Sequence, residues 1–122
     1  LPAPAQGALA IECRSDDSQL IEALSLLDDS HTRLVTTAER AVLVGIAATC
    51  ATAIGAHASY ENGTLNLVAE LSASEVDDHE RREASQSNVA LQDLSLAHSL
   101  GLSVAQEIMK TSLGARLGSN RG

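Results

Sequence analysis

Aromatic side chains are almost missing from this 122-residue chain, which has one Tyr (Tyr60) and neither Phe nor Trp. A stacking platform for single-stranded nucleic acid needs several such rings, so that class is excluded. The core must be built from Leu, Ile, Val and Ala, which favours Ala-rich helices lying close on a small sheet. Basic residues are also scarce. Eight Lys and Arg stand against 16 Asp and Glu, giving a formal net charge of −8. General affinity for DNA, RNA or an anionic membrane is therefore excluded. A polycarboxylate ligand would need arginines supplied from elsewhere. No apolar run approaches the ~20 residues of a membrane span, and no signal-peptide pattern opens the sequence. The two cysteines, Cys13 and Cys50, sit in different settings and form no disulfide framework, which fits a reducing, cytoplasmic location. His31, His57, His79 and His98 show no metal-ligand spacing and no Cys at a useful offset, so no metal site is expected. Gly-rich phosphate loops and nucleophile elbows are absent too.

What is present suits one modest domain: hydrophobic residues make up 44% of the chain, enough for a packed core. The sequence opens on Leu1-Pro2-Ala3-Pro4 rather than Met and reads as a cut inside a longer chain. Residues 1–7 read as a loop. Ala8 to Cys13 is a short apolar run that suits a buried strand, with partners upstream and Cys13 buried and inert at its end. Asp16-Asp17-Ser18 opens a helix with acids at the positive end of its dipole, and Leu20, Ile21, Leu24 and Leu27 follow at helical spacing. A second helix is predicted over 32–48, with Leu34, Ala38, Ala41, Val42 and Ile46 as its buried stripe. Glu39 and Arg40 are its interior charges, read as a structural or interdomain ion pair. Thr49 to Thr52 reads as a loop.

The clearest signal is a hairpin. Ile54, Ala56, Ala58 and Tyr60 alternate with smaller or polar residues, Asn62-Gly63 supplies a type I′ turn, and Leu65, Leu67, Ala69 and Leu71 alternate on the return. Residues 77–86 are charged and form a half-exposed third strand after an Asp77-Asp78 turn. A last helix is predicted over 91–113, with Leu96, Leu100, Val104, Ile108 and Met109 on one face and a bend near Gly101. The layout is α+β, a small three-stranded antiparallel sheet covered on one face by helices.

Four stretches then carry a resemblance. The run from Leu1 to Arg14 resembles the segment of the porphobilinogen deaminase (hydroxymethylbilane synthase) family that reads Pro-Ala, one or two variable residues, Gln-Gly-Ala and an apolar strand ending in Glu. Thr37-Ala38-Glu39-Arg40-Ala41 is similar to the family's Ala-Glu-Arg helix. Cys50, followed by Ile54-Gly55-Ala56-His57-Ala58, falls where the family places its cofactor cysteine ahead of an Ile/Val-Gly-Ala strand. Leu100 to Ala105 resembles the start of its last long helix. Around the cysteine the family has Gly-Gly-Cys-Gln-Val-Pro or close to it, whereas here the stretch is Ala48-Thr49-Cys50-Ala51-Thr52-Ala53. Losing those glycines stiffens the loop, because Gly reaches backbone conformations that Ala and Thr reach poorly. Ala5 likewise replaces a Gly common before Gln-Gly.

The resemblance implies the C-terminal part of a transferase that joins four porphobilinogens head to tail into hydroxymethylbilane, releasing ammonia. It implies that Cys50 attaches a dipyrromethane cofactor covalently through a thioether; Gln6 and Gly7 either line the cleft beside it, as the motif implies, or form a turn that sets the entry to the strand. Residues 1–14 would be the tail of a preceding α/β domain, strand and linker, and 15–122 the cofactor-bearing domain. The partners implied are the missing N-terminal domains of the same chain and porphobilinogen as the whole enzyme's substrate, in a monomer. The acid/base aspartate and most carboxylate-pairing arginines lie in those earlier domains, so no catalytic residue is assigned here and the isolated chain is expected to be inactive. A reading from another class is a small acidic α+β binding or interaction module without catalysis.

Overall fold

The computed structural model describes residues 1–46, 53–73 and 78–111. Six elements follow in order: α1 (Ser18–Ser25), α2 (Ser30–Ile46), β1 (Ile54–Glu61), β2 (Thr64–Ala73), β3 (Asp78–Gln86) and α3 (Leu94–Met109). The strands form one open antiparallel sheet in the order β1-β2-β3, with α2 and α3 packed on the same face. The α+β layout with a half-covered three-stranded sheet is the one expected from the sequence.

Period-two alternation sets the register. Ile54 lies opposite Leu71, Ala56 opposite Ala69, Ala58 opposite Leu67 and Tyr60 opposite Leu65, so each pair shares the helix-facing side. Asn62 and Gly63 take φ of 53° and 78°, the two left-handed positions a type I′ turn requires. On β3 the same face carries Ala84 and an Arg82–Glu80 pair at 3.5 Å, all half-buried, while Glu83 and Ser85 face solvent. The single Tyr closes the far end: its hydroxyl donates to the Val89 carbonyl at 2.5 Å, and the Val89 N–H returns to Gly63 O at 2.8 Å.

Without aromatic rings, the core gains its density from close helix contact. Leu34, Ala38, Ala41, Val42 and Ile46 of α2 are all buried, as their spacing predicted. In α3 the buried stripe is Ala97, Leu100, Gly101, Val104, Ala105 and Ile108. Leu96 lies outside it, 39% exposed, since the stripe's first turn is set by Ala97. A Cβ added at Gly101 would stand 2.4 Å from both Ala38 O and Ala41 Cβ, and one at Gly45 would stand 2.4 Å from Ala105 Cβ. The two helices thus touch backbone to side chain at two notches.

Two expectations for the first 27 residues are corrected. Ala8 to Cys13 is not a strand, and Leu9 is 96% exposed. Cys13 is exposed rather than buried. A strand needs a hydrogen-bonding partner, and among the described residues none lies beside this segment. Likewise α1 forms, with the Asp17 side chain accepting from Leu20 N at 3.0 Å, yet buries none of its residues. Its apolar stripe has the right period, but among the described residues it borders an open cleft rather than a packed surface.

Asp29 starts α2. Its carboxylate accepts the Thr32 hydroxyl at 2.9 Å and the His31 N–H at 3.1 Å, as an N-cap does. The Thr32 hydroxyl, chiefly, and the backbone N–H groups hold the carboxyl below its ordinary value of 3.8. A native value lowered in this way stabilises the fold above pH 3.8 and ceases to do so as pH falls through the native value. Asp29→Ala is therefore expected to lower the melting temperature at neutral pH, with a deficit that narrows in acid. Paired thermal melts from neutral to acid check this, and a deficit independent of pH would contradict it.

Candidate functional site

The leading segment folds back onto the outer edge of the sheet. Ala56 and Ala58, two apart on edge strand β1, turn their N–H groups the same way, away from β2. The Ala56 N–H donates to Pro2 O at 2.9 Å. Gly55 makes room for this approach: a Cβ there would stand 2.8 Å from Leu1 Cβ and 2.9 Å from Leu1 O. The Ala58 N–H goes instead to a side chain, donating to Glu39 Oε2 at 2.9 Å. The other oxygen, Glu39 Oε1, accepts the Ala5 N–H at 2.7 Å.

Glu39 is 6% exposed and is the buried charged residue among the described ones. Burial of a carboxylate is tolerated only when its oxygens are satisfied, and a hydrogen bond to a charged group is worth about 1.5–3 kcal/mol. Among the described residues Glu39 and Arg40 do not pair with each other, and the Glu39 oxygens go to backbone N–H groups instead. Neighbours on a helix point about 100° apart, and Arg40 is exposed, lining the cleft that Ala5 and Gly7 also line. Two signals in the sequence point to Glu39. It interrupts an apolar stripe, and Pro2 and Pro4 deprive the leading segment of N–H groups for an ordinary ladder.

Gln6 and Gly7 follow directly. The Gln6 N–H donates to Ala3 O at 3.1 Å, and the Gln6 Oε1 accepts the Ala3 N–H at 3.1 Å, so main chain and side chain close the same turn. Ala5 takes φ 62° and Gly7 φ 90°. Alanine adopts the first of these only under constraint, and the bond to Glu39 supplies it. Gly7 lines an open cleft of about 680 Å³ between the leading segment and α1–α2, with Leu9, Leu24, Thr36 and Arg40. Cys50 lies outside the described residues, in the stretch 47–52 between the end of α2 and the start of β1. His31 has a structural place: its Nε2 lies 3.3 Å from Tyr60 O, with the rings edge to face at 6.0 Å. Among the described residues no group of three His, Cys, Asp or Glu is placed to hold a metal, and no helix is long and apolar enough to cross a membrane.

The fold and this edge arrangement define a small α+β domain, and comparison with known proteins gives its family. Residues 33–110 match the family model of the porphobilinogen deaminase C-terminal domain. A porphobilinogen deaminase of Nocardia farcinica (strain IFM 10152) is 45% identical over 123 residues, covering 95% of this chain and 34% of that protein. That of Mycobacterium tuberculosis (strain ATCC 25618 / H37Rv) is 42% identical over 128 residues, covering 95% and 38%. That of Cutibacterium acnes (strain DSM 16379 / KPA171202) is 42% identical over 120 residues, covering 89% and 36%. The chain belongs to the porphobilinogen deaminase family, a family of transferases of porphyrin biosynthesis, and corresponds to its C-terminal part. It spans about a third of the length of these relatives.

Proposed function

We propose that this chain is the cofactor-bearing C-terminal part of a hydroxymethylbilane synthase. The whole protein would condense four porphobilinogens into hydroxymethylbilane, releasing ammonia at each coupling. The observation that carries this reading is a thiol at position 50, inside the family match over 33–110 and between α2 and β1. Connecting segments at the surface are where a rigid scaffold presents reactive groups.

The donor suits the group it would hold. A dipyrromethane bound there supplies a covalent anchor on which the pyrrole chain grows. Cysteine sulfur is a strong, soft nucleophile, and the C–S bond it forms resists both hydrolysis and the reducing cytoplasm. Anchoring makes each coupling effectively intramolecular and keeps intermediates from diffusing away. Gln6 and Gly7 lie beside that anchor in this reading, fixed to β1 through Ala5 and Glu39. Residues 1–14 belong to the tail of a preceding domain, and 15–122 to the cofactor-bearing one. The exposed apolar side chains of Leu9 and Ile11 support this, since they suit a surface covered by the preceding part. The acid/base group and the arginines that meet substrate carboxylates are placed in those earlier domains, in a monomeric, cytoplasmic enzyme.

The test is the full-length protein. Its intact mass is expected to show a two-pyrrole increment that maps to the Cys50 peptide and gives a colour with Ehrlich's reagent. The 122-residue chain alone is expected to convert no porphobilinogen. Turnover by the isolated chain near that of the whole protein, or a full-length protein without the increment, would overturn the reading.

A further inference from the structure

We propose that the Glu39 carboxylate is a latch that fixes the leading segment, with Gln6 and Gly7, against β1, and is thereby a positioning residue for the reaction above. The functional half rests on the deaminase reading. The latch itself rests on geometry.

An edge strand presents every second N–H outward, and each needs an acceptor if water is kept away. At Ala56 the leading segment supplies one, the Pro2 carbonyl at 2.9 Å. It does not supply the next. The chain turns away through Ala5, whose φ of 62° ends its extended course before it reaches Ala58. Two donors, the N–H groups of Ala5 and Ala58, then converge on one space without a backbone carbonyl between them. A carboxylate fits this demand, because it offers two acceptor oxygens and no hydrogen. Glu39 places one oxygen 2.7 Å from Ala5 N and the other 2.9 Å from Ala58 N. A glutamine of the same shape offers one acceptor and one NH₂, so it satisfies one donor and opposes the other.

Glu39 thus stands in for a missing rung of the β-ladder between segments 34 and 19 residues away from it in sequence. Opening the contact to Ala5 leaves a buried oxygen unpaired, which disfavours a half-open state. The segment is held or released as a unit. What it holds is the placement of Gln6 and Gly7 relative to the strand that begins at Ile54, shortly after Cys50. Gly55 is the second part of the device, since any side chain there would push Leu1 and Pro2 off the edge.

The test is amide hydrogen exchange on the full-length protein, wild type, Glu39→Gln and Gly55→Ala, with steady-state kinetics on the same samples. In wild type the Ala5 and Ala58 amides should both be protected. Glu39→Gln should free one of the two, raising its exchange roughly tenfold or more, while Ala56 keeps its protection from Pro2. Gly55→Ala should do the reverse, freeing Ala56 and leaving Ala58 bonded. Glu39→Gln should also lower kcat several-fold with KM little changed, at full two-pyrrole loading, which a general loss of packing would not do. An Ala5 amide exchanging at the unprotected rate in wild type overturns the latch, whether or not the variants fold. Unchanged kcat and KM with a freed amide overturns the positioning role. Absence of the adduct from Cys50 overturns the deaminase reading instead, and the exchange data still decide the latch.

Discussion

Gly101→Ala is expected to destabilise this domain by about 2 kcal/mol, although alanine is the better helix former. Two effects oppose each other. Replacing Gly by Ala inside a helix gains about 1 kcal/mol of propensity. Against that, the new methyl would stand 2.4 Å from the Ala38 carbonyl oxygen and 2.4 Å from Ala41 Cβ. The first of these is backbone in the middle of α2 and has no rotamer through which to withdraw. Forcing a methyl into such a contact costs about 1–3 kcal/mol and occasionally more, and here both neighbours sit at the rigid end of that range. The clash therefore exceeds the propensity gain. Urea denaturation should show a midpoint lowered on the order of 1 M with m unchanged. A variant as stable as wild type would mean that the helices are not held this close.

The same contact explains why the fold was largely legible and where legibility stopped. A chain with one aromatic ring can reach interior density only by bringing small residues together, so Ala38, Ala41, Ala56, Ala58, Ala69, Ala97 and Ala105 all had to face inward. Alternation through the Asn62-Gly63 turn left one register that buries Leu65, Leu67 and Leu71 together. The last helix was readable, but the role of Gly101 was not. A glycine inside a helical run reads as a bend, and only the neighbouring helix shows it to be a notch.

The first 27 residues mark the opposite limit. Leu9, Ile11, Leu20, Ile21 and Leu27 carry strand or helix periodicity and remain exposed, because periodicity reports which face is apolar and not what covers it. The candidate site divides in the same way. Gln6, Gly7 and Cys50 were singled out by resemblance, whereas Glu39 was read as half of an ion pair with Arg40. Its true partners are backbone N–H groups of Ala5 and Ala58, which one-letter sequence does not display. The missing N–H groups of Pro2 and Pro4 were the readable half of that account.

Cys50→Ser in the full-length protein is expected to abolish both the two-pyrrole adduct and porphobilinogen turnover, leaving each at background. Serine keeps the size and removes the chemistry. A hydroxyl is scarcely ionised near neutral pH, whereas a thiol with an ordinary value of about 8.5 is a few per cent thiolate at pH 7, and sulfur is intrinsically the better nucleophile. The exposure of Cys13 makes one control indispensable. This second thiol, expected to be inert in a strand, is open to solvent, so an increment on the intact protein would not by itself identify the tethered sulfur. Cys13→Ser should retain both adduct and turnover, and peptide mapping should place the increment at position 50. The sequence around Cys50 has Ala48-Thr49 where the family pattern has Gly-Gly, and that difference leaves the sulfur itself unchanged. Retention of adduct and turnover in Cys50→Ser would remove the residue on which the proposed function stands. Their loss in Cys13→Ser alone would move the anchor to the leading segment, on the far side of the Glu39 latch.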